Sequence, residues 1–384
     1  MTGRTTQEHM EQGKDTHATA QPGARKAALI ALDWGTTSLR AYLFDAAGEV
    51  IDTRVSTAGI MNLPVPAEEG GFDAAFDEAC GVWLAQSPTL PVLAAGMVGS
   101  AQGWLQAPYV ETPAGEDALV GGIVKVRAAC GVDVAVVPGV LEPGALPNVM
   151  RGEETQIFGA LSATNATGAT SATSAAGDSA SAQATLIGLP GTHAKWAVVE
   201  GARIARFYTF MTGEVYAALS AHTILGRTMK RPAAPDTAAF LRGVSVAREH
   251  GSAGLLATAF STRTLGLTEQ LAPDEQPDYL SGLVIGHELA GLEAVLARRD
   301  VALAACAPQL IGADALCERY KLALAQFGCT GAHLVRHATE RGLWRIAVRA
   351  GLVAASGTPR RTTPPRHRAQ ASTHVHSRKH RKAT

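Results

Sequence analysis

Two short turns carry the residue types that hold phosphate. Asp33-Trp34-Gly35-Thr36-Thr37-Ser38 follows an apolar run and precedes Leu39-Arg40-Ala41-Tyr42-Leu43-Phe44-Asp45. Glycine and hydroxyl residues in such a turn aim backbone N–H and Oγ donors at an anion. An aspartate at a strand end can hold Mg²⁺ through water, because Mg²⁺ keeps most of its hydration shell. Arg40 adds positive charge nearby. Leu189-Pro190-Gly191-Thr192-His193-Ala194-Lys195-Trp196 repeats the pattern of strand, small-residue turn and strand. One such turn reads equally well as an ordinary hairpin; two in matching contexts point to a nucleotide held between two parts of the chain. A third segment, Met150-Arg151-Gly152-Glu153-Glu154-Thr155-Gln156, heads a helical pattern. Phosphoryl transfer to an alcohol asks for a carboxylate within hydrogen-bond reach of the hydroxyl. Glu153 or Glu154 supplies one, although acids at a helix start also complement the helix dipole. In the fourth segment, Ala94-Ala95-Gly96-Met97-Val98-Gly99-Ser100 is followed by Gly103-Trp104 and Pro108-Tyr109. Its glycines admit a polyhydroxylated ligand and its rings can pack on a carbon skeleton, but the same residues suit a strand leading into an aromatic core.

The elements that must position these groups follow from hydrophobic patterning. Ala27–Leu32 is a continuous apolar run suited to a buried strand, Leu39–Asp45 a second strand, and Ala46–Glu49 a hairpin turn into Val50-Ile51. Phe72, Phe76, Cys80, Trp83 and Leu84 have helical spacing; Pro91–Ala95 and Val132–Val137 read as further strands, and Glu154–Leu161 as a helix. After residues 162–184, almost wholly Ala, Ser, Thr and Gly, a strand resumes at Thr185–Leu189, with a hairpin over 195–210. Helical patterns occupy 213–224, 236–247, 277–297, 314–327 and 339–353, with a strand at 301–305 or 308–311 leading into Gly312. Strand–turn sets in each half, ending in glycine-rich turns, predict two α/β domains flanking a cleft.

Composition narrows the function classes. With 384 residues, 46% hydrophobic, 18% charged and 40 glycines, the chain is neither collagen-like nor a coiled coil. Its length predicts two domains or one large one. Five scattered cysteines without a CxxC read as reduced thiols rather than a disulfide frame or zinc site. No apolar run approaches the roughly 18 residues of a membrane span, and the polar first 27 residues lack a signal-peptide core. The expectation is a cytoplasmic protein without a membrane partner. Net charge is zero, yet residues 356–384 hold eight Lys/Arg and no acid, and residues 1–27 hold four against three. The body, 28–355, therefore carries 22 bases and 31 acids, which argues against nucleic acid as a partner of the core. The basic tail could contact nucleic acid or an anionic surface, or extend into solvent.

DWGTTSLR at 33–40, AGMVGS at 95–100, NVMRGEETQ at 148–156, LPGTHAKW at 189–196 and MTGE at 211–214 resemble, in order, the 2-dehydro-3-deoxygalactonokinase family. The resemblance covers roughly residues 28–353. It implies the two-domain actin-like (ribonuclease H-like, α/β) ATPase fold with an interdomain nucleotide cleft. The divisions would be an arm over 1–27, domains over 28–160 and 161–355, a flexible insertion at 162–184 and a disordered tail at 356–384. It also implies ATP and Mg²⁺ as cofactors and a sugar-acid substrate, 2-dehydro-3-deoxy-D-galactonate, phosphorylated on its 6-hydroxyl. The product would feed an aldolase. Asp33, with Gly35, Thr36, Thr37 and Arg40, matches the first phosphate motif, Asp33 lying near the metal. Gly191, Thr192 and His193, with Lys195, match the second. Gly152-Glu153 resembles the Gly-Asp that supplies the base in related kinases, here a doubled acid, so the base is Glu153 or Glu154. Gly312-Ala313 stands at the adenosine turn, and Gly99, Ser100, Trp104 and Arg151 at the sugar. Other keto-deoxy acids, or a non-catalytic actin-like regulator, are the competing readings. The oligomeric state is left open, a homodimer being one arrangement.

Overall fold

The computed structural model describes residues 25–166 and 184–354. The expectations for the arm before residue 25, for 167–183 of the insertion and for the tail after 354 lie outside the described residues. The first half holds strands β1 (Ala27–Trp34), β2 (Leu39–Asp45), β3 (Val50–Ser56), β4 (Val92–Ala95), β5 (Tyr109–Glu111), β6 (Val124–Arg127), β7 (Asp133–Val136), β8 (Gly139–Glu142) and β9 (Asn148–Met150). Its helices are α1 (Gly71–Gln86), α2 (Glu116–Gly121) and α3 (Glu153–Ala166). The second half holds β10 (Thr185–Leu189), β11 (Ala194–Glu200), β12 (Arg203–Phe210), β13 (Gln309–Leu310) and β14 (His333–Leu334). Its helices are α4 (Thr212–His222), α5 (Thr237–His250), α6 (Leu255–Thr258), α7 (Ser261–Leu267), α8 (Gln276–Ala297), α9 (Asp314–Gln326) and α10 (Ala338–Arg349).

β1 is buried from Leu29 to Leu32, as a strand covered on both faces must be. It pairs antiparallel with β2 and parallel with β4, in a sheet of order β3-β2-β1-β4-β7-β6. β10 does the same with β11 and β13, in the order β12-β11-β10-β13-β14. The first five strands of the two sheets therefore share one order: an antiparallel triplet, then two strands added in parallel. This duplication is the ribonuclease H-like, actin-like architecture. Since β1 and β4 run parallel, as do β10 and β13, the residues that follow them emerge at the carboxyl edges of their sheets, where ligands of open α/β sheets bind.

Although it follows the second sheet in the chain, α10 packs on α3 and against β1 and β4 of the first. The α3–α10 crossing is very close. A Cβ on Gly159 would strike the Ala338 carbonyl, and one on Gly342 the Thr155 carbonyl. Ile157, Phe158, Leu343 and Ile346 from this pair share one buried cluster with Ile187 and Leu189 of β10, so the core is continuous between the halves.

Four local expectations differ from the structure. The helix expected to stop at Leu161 continues to Ala166. Residues 303–305 form a single 3-10 turn, and the strand after it is only Gln309–Leu310. The three-stranded sheet β5-β8-β9 was not expected, since three- and four-residue strands are too short to show a period. α8, at 22 residues and mean hydropathy 1.4, is long and apolar enough to cross a membrane, against the reading that no such run exists. Its apolar character has a core explanation: it packs on α5, and Leu280, Leu283, Leu289 and Leu292 are buried within the second half.

Candidate active site

Asp33 is the penultimate residue of β1 and stands in register with Arg40 of β2, whose Nη1 reaches Asp33 Oδ2 at 3.2 Å. Burial pushes the Asp33 carboxyl above the usual carboxylate range; Arg40 opposes that, and the charges of Glu153 and Glu340 add to it. The following turn is closed by the Gly35 N–H donating to Ser38 O at 2.9 Å, leaving Thr36 and Thr37 exposed.

The start of α3 is pressed onto this floor through glycines. Gly96, after β4, has φ 97° and Gly152 has φ 107°. A Cβ on Gly152 would lie 3.2 Å from Gly96 Cα, and one on Gly96 would lie 2.8 Å from Trp34 O. A left-handed backbone with that approach requires glycine at both places. The two acids that follow then diverge. Glu154 is fully buried, and both of its oxygens accept from the Gly152 N–H, at 2.9 and 2.7 Å. Burial, and then the charge of Glu153, push its carboxyl up to about 7. Glu153 keeps 27% of its side chain exposed. Its Oε2 accepts from the Arg151 N–H at 3.0 Å, and its Oε1 lies 3.3 Å from Lys195 Nζ of the other half.

Arg151 is 8% exposed. Its guanidinium lies 4.3 Å from the centroid of Tyr109, and Nη2 donates to Ala107 O at 3.0 Å. Nε and Nη1 are buried without a hydrogen-bond partner among the described residues. Gly99 makes room for this group, since a Cβ there would stand 3.0 Å from Arg151 Nη1. Ser100 Oγ accepts from the Gln102 N–H at 3.3 Å. Trp104, expected at the sugar, is half-buried in an aromatic cluster, stacked on Phe72 at 6.1 Å and edge-on to Trp34 at 5.8 Å. Packing therefore takes much of its ring.

From the second half come Gly191 and Thr192, which line a cavity of about 540 Å³ with Tyr216, Asp278, Ser281 and Arg319. That volume suits a nucleoside. His193 Nε2 lies 2.5 Å from Glu214 Oε2, fastening the turn to α4. Lys195, 5% exposed in its side chain, donates to His193 O at 3.0 Å and faces Glu153. Gly312 and Ala313 are exposed at the start of α9, whose Leu316, Arg319 and Tyr320 belong to the cavity wall. Beneath this wall, Glu288 of α8 accepts from Trp196 Nε1 and Tyr320 OH, each at 2.6 Å, and from Thr212 Oγ1. Thr212 and Tyr320 thereby hold fixed positions in the wall.

The structure thus brings Asp33, Arg40, Glu153 and Lys195 to one meeting of the halves, with Arg151 behind Gly99 on one side and the cavity on the other. Sequence reasoning missed Tyr216, Asp278, Ser281, Arg319 and Glu288, and Glu340, whose charge reaches Asp33 from α10. A glutamate within the apolar run of α8 was the one local signal for Glu288; the others sit on helices that carried no signal of their own.

A duplicated sheet with phosphate-type turns at the carboxyl edge of each half and an acid–lysine pair between them defines an actin-like ATPase fold equipped as a phosphotransferase. The family model for 2-keto-3-deoxy-galactonokinase matches residues 33–346, and the chain belongs to that family. It is 32% identical over 303 residues to the 2-dehydro-3-deoxygalactonokinase of Escherichia coli (strain K12), covering 78% of this chain and 90% of that one. A Rhizobium meliloti (strain 1021) protein named for the same activity is 34% identical over 331 residues, 85% of this chain and 95% of that one. A crystal structure from Sinorhizobium meliloti, also named for this activity, superposes with a TM-score of 0.70 at 32% identity, covering 84% and 98% of the two chains.

Proposed function

We propose that this protein transfers the terminal phosphoryl group of ATP to the 6-hydroxyl of 2-dehydro-3-deoxy-D-galactonate, a step of D-galactonate catabolism. Family membership supports the reaction, and one observation carries the assignment of parts: Glu153 and Lys195, from opposite halves, stand 3.3 Å apart between the two phosphate-type turns. Phosphoryl transfer asks a protein chiefly for positioning and charge. The cavity walled by Tyr216, Asp278, Ser281 and Arg319 takes the nucleoside, with Gly312 and Ala313 at its rim. Gly191, Thr192 and His193 take the phosphates from one side, and Gly35, Thr36 and Thr37 from the other.

Glu153 is the general base. It is the member of the doubled acid that stays partly exposed at the meeting of the halves, whereas Glu154 is spent on the Gly152 N–H. Arg151 binds the substrate carboxylate: two buried guanidinium nitrogens without partners are what a carboxylate would complete. Gly99 and Ser100 form the adjoining sugar wall, with the free edge of Trp104. Among the described residues no cluster of three or more acids, histidines or cysteines could hold a metal by itself. Burial and the like charges of Glu153 and Glu340 push the Asp33 carboxyl up, against Arg40, and a cation beside it would offset that. Mg²⁺, carried chiefly by phosphate oxygens and water, would offset phosphate charge there, with Asp33 as the residue that holds it.

Coupled-assay ATP turnover across a panel of keto-deoxy and aldonic acids tests the reading. Turnover highest with 2-dehydro-3-deoxy-D-galactonate is expected. A higher rate with another acid would move the substrate, and turnover with none would remove the kinase assignment.

A further inference from the structure

One buried carboxylate outside the transfer step ties together three elements around the nucleoside cavity. Glu288 of α8 is 3% exposed. Its Oε1 accepts from the Trp196 indole of β11. Its Oε2 accepts from Tyr320 OH of α9 and from Thr212 Oγ1 at the start of α4. Thr212 and Tyr320 both line the cavity. An indole N–H can only donate, and an ionised carboxylate can only accept. Ionised, Glu288 therefore takes the protons of both hydroxyls. A carboxyl carrying its one proton on Oε2 would donate to one hydroxyl and still accept from the other. In either state, a hydroxyl that gives its proton to Glu288 keeps only lone pairs for anything else. The wall at Thr212 and Tyr320 thus offers acceptors.

Thr212 also stands at the phosphate end of the cavity. The Glu214 N–H donates to Thr192 O at 3.1 Å, and a Cβ on Gly213 would lie 2.6 Å from Gly191 O. The motif at 211–214 is thereby fastened to the second phosphate-type turn. In a nucleotide the group next to the phosphates is the ribose, and its hydroxyls are donors that suit such acceptors.

We infer that Glu288 is a positioning residue that makes Thr212 and Tyr320 acceptors for a ribose hydroxyl, so that the cavity selects a ribonucleotide over its deoxy analogue. This rests on the reading of the cavity as the nucleoside site. A deoxyribose would leave the wall without its donor, and a buried acceptor left unpaired costs more than an ordinary hydrogen bond gains. A site built around a substrate hydroxyl therefore rejects the analogue that lacks it.

Values of kcat/KM for ATP, 2′-deoxy-ATP and 3′-deoxy-ATP at saturating sugar acid measure this selection. Wild type should favour ATP over at least one deoxy analogue by about tenfold or more. In Glu288→Gln the amide oxygen keeps the indole, and the NH₂ group donates to the two hydroxyls, whose own protons then turn toward the cavity. The preference should fall to within about twofold, with the sugar-acid KM unchanged. Thr212→Val combined with Tyr320→Phe removes both hydroxyls while the carboxylate stays, and should lower the preference equally. A merely structural role would slow all three nucleotides alike and leave their ratio in place. A wild type that treats the three nucleotides alike, or a ratio untouched in either variant, would overturn the inference. Ser281→Trp, which fills the cavity, separates this from the reading beneath it. If that variant keeps the wild-type KM for ATP, the nucleoside lies elsewhere and the cavity assignment fails. If it raises that KM while wild type does not distinguish the deoxy analogues, the cavity assignment stands and the ribose selection alone fails.

Discussion

Replacing Glu154 by glutamine tests whether the doubled acid is divided as the geometry indicates. Glu154 is fully buried, and its carboxyl ordinarily titrates near 4.5 but is pushed up to about 7 by burial and by Glu153. Between those pH values the unfolded chain has released this proton while the fold keeps it. The folded state therefore binds more protons, and stability falls as pH rises through the window. At about 1.4 kcal/mol per pH unit, the window of some 2.5 units corresponds to roughly 3 kcal/mol. Glutamine keeps an acceptor for the Gly152 N–H and cannot ionise, so this slope should vanish. Urea unfolding of both proteins without ligand, from pH 5 to 8, measures it: the variant should gain on the wild type by about 2–3 kcal/mol across the range, with kcat changed less than about tenfold. Parallel stability curves would mean that Glu154 ionises normally in the fold, and the reasoning from burial would be wrong.

Asp33→Asn removes the charge at the end of β1 with little change in volume; kcat should drop by at least about 100-fold with the melting temperature nearly kept, and near-wild-type turnover at saturating Mg²⁺ would dismiss the metal role. Arg151→Lys keeps a positive charge but loses the planar fork. Steady-state kinetics should show the sugar-acid KM raised about 10- to 100-fold and the ATP KM unmoved, the range a charge-assisted hydrogen bond is worth. Gly342→Ala forces a methyl into the Thr155 carbonyl at the α3–α10 crossing. Thermal unfolding should show a loss of about 1–3 kcal/mol, and an unchanged melting temperature would mean that the crossing is not tightly packed.

Much of the fold was legible in the sequence because its signals are local. The run Ala27–Leu32, the turn at 33–38 and the strand after it lie within one hairpin, and the same holds for 185–210. The order of strands within each sheet was not, since β1 next to β4 and β10 next to β13 are pairings across long stretches of chain. The site divides in the same way. Asp33, Arg40 and the Gly191 turn stood out by residue type within single hairpins and by the family resemblance. The partnership of Glu153 with Lys195 depends on how two halves meet, and nothing near either residue announces it. Trp104 shows the converse: glycines and an aromatic beside a strand end fit a sugar wall, yet Trp34, Phe72 and Phe76, distant in sequence, draw the ring into packing. The cavity was least legible, being assembled from single residues on α4, α8 and α9.

The central claim is that this chain phosphorylates a keto-deoxy sugar acid on its primary hydroxyl, with Glu153 taking the proton. Incubating wild type and Glu153→Gln with ATP, Mg²⁺ and 2-dehydro-3-deoxy-D-galactonate, and following the product by phosphorus NMR, tests both parts at once. The account predicts a phosphate monoester coupled to the two protons of one CH₂ group, formed at least about 100-fold more slowly by the variant at an unchanged substrate KM. No sugar-acid phosphate from the wild type, or a Glu153→Gln variant within about tenfold of it, would contradict the account.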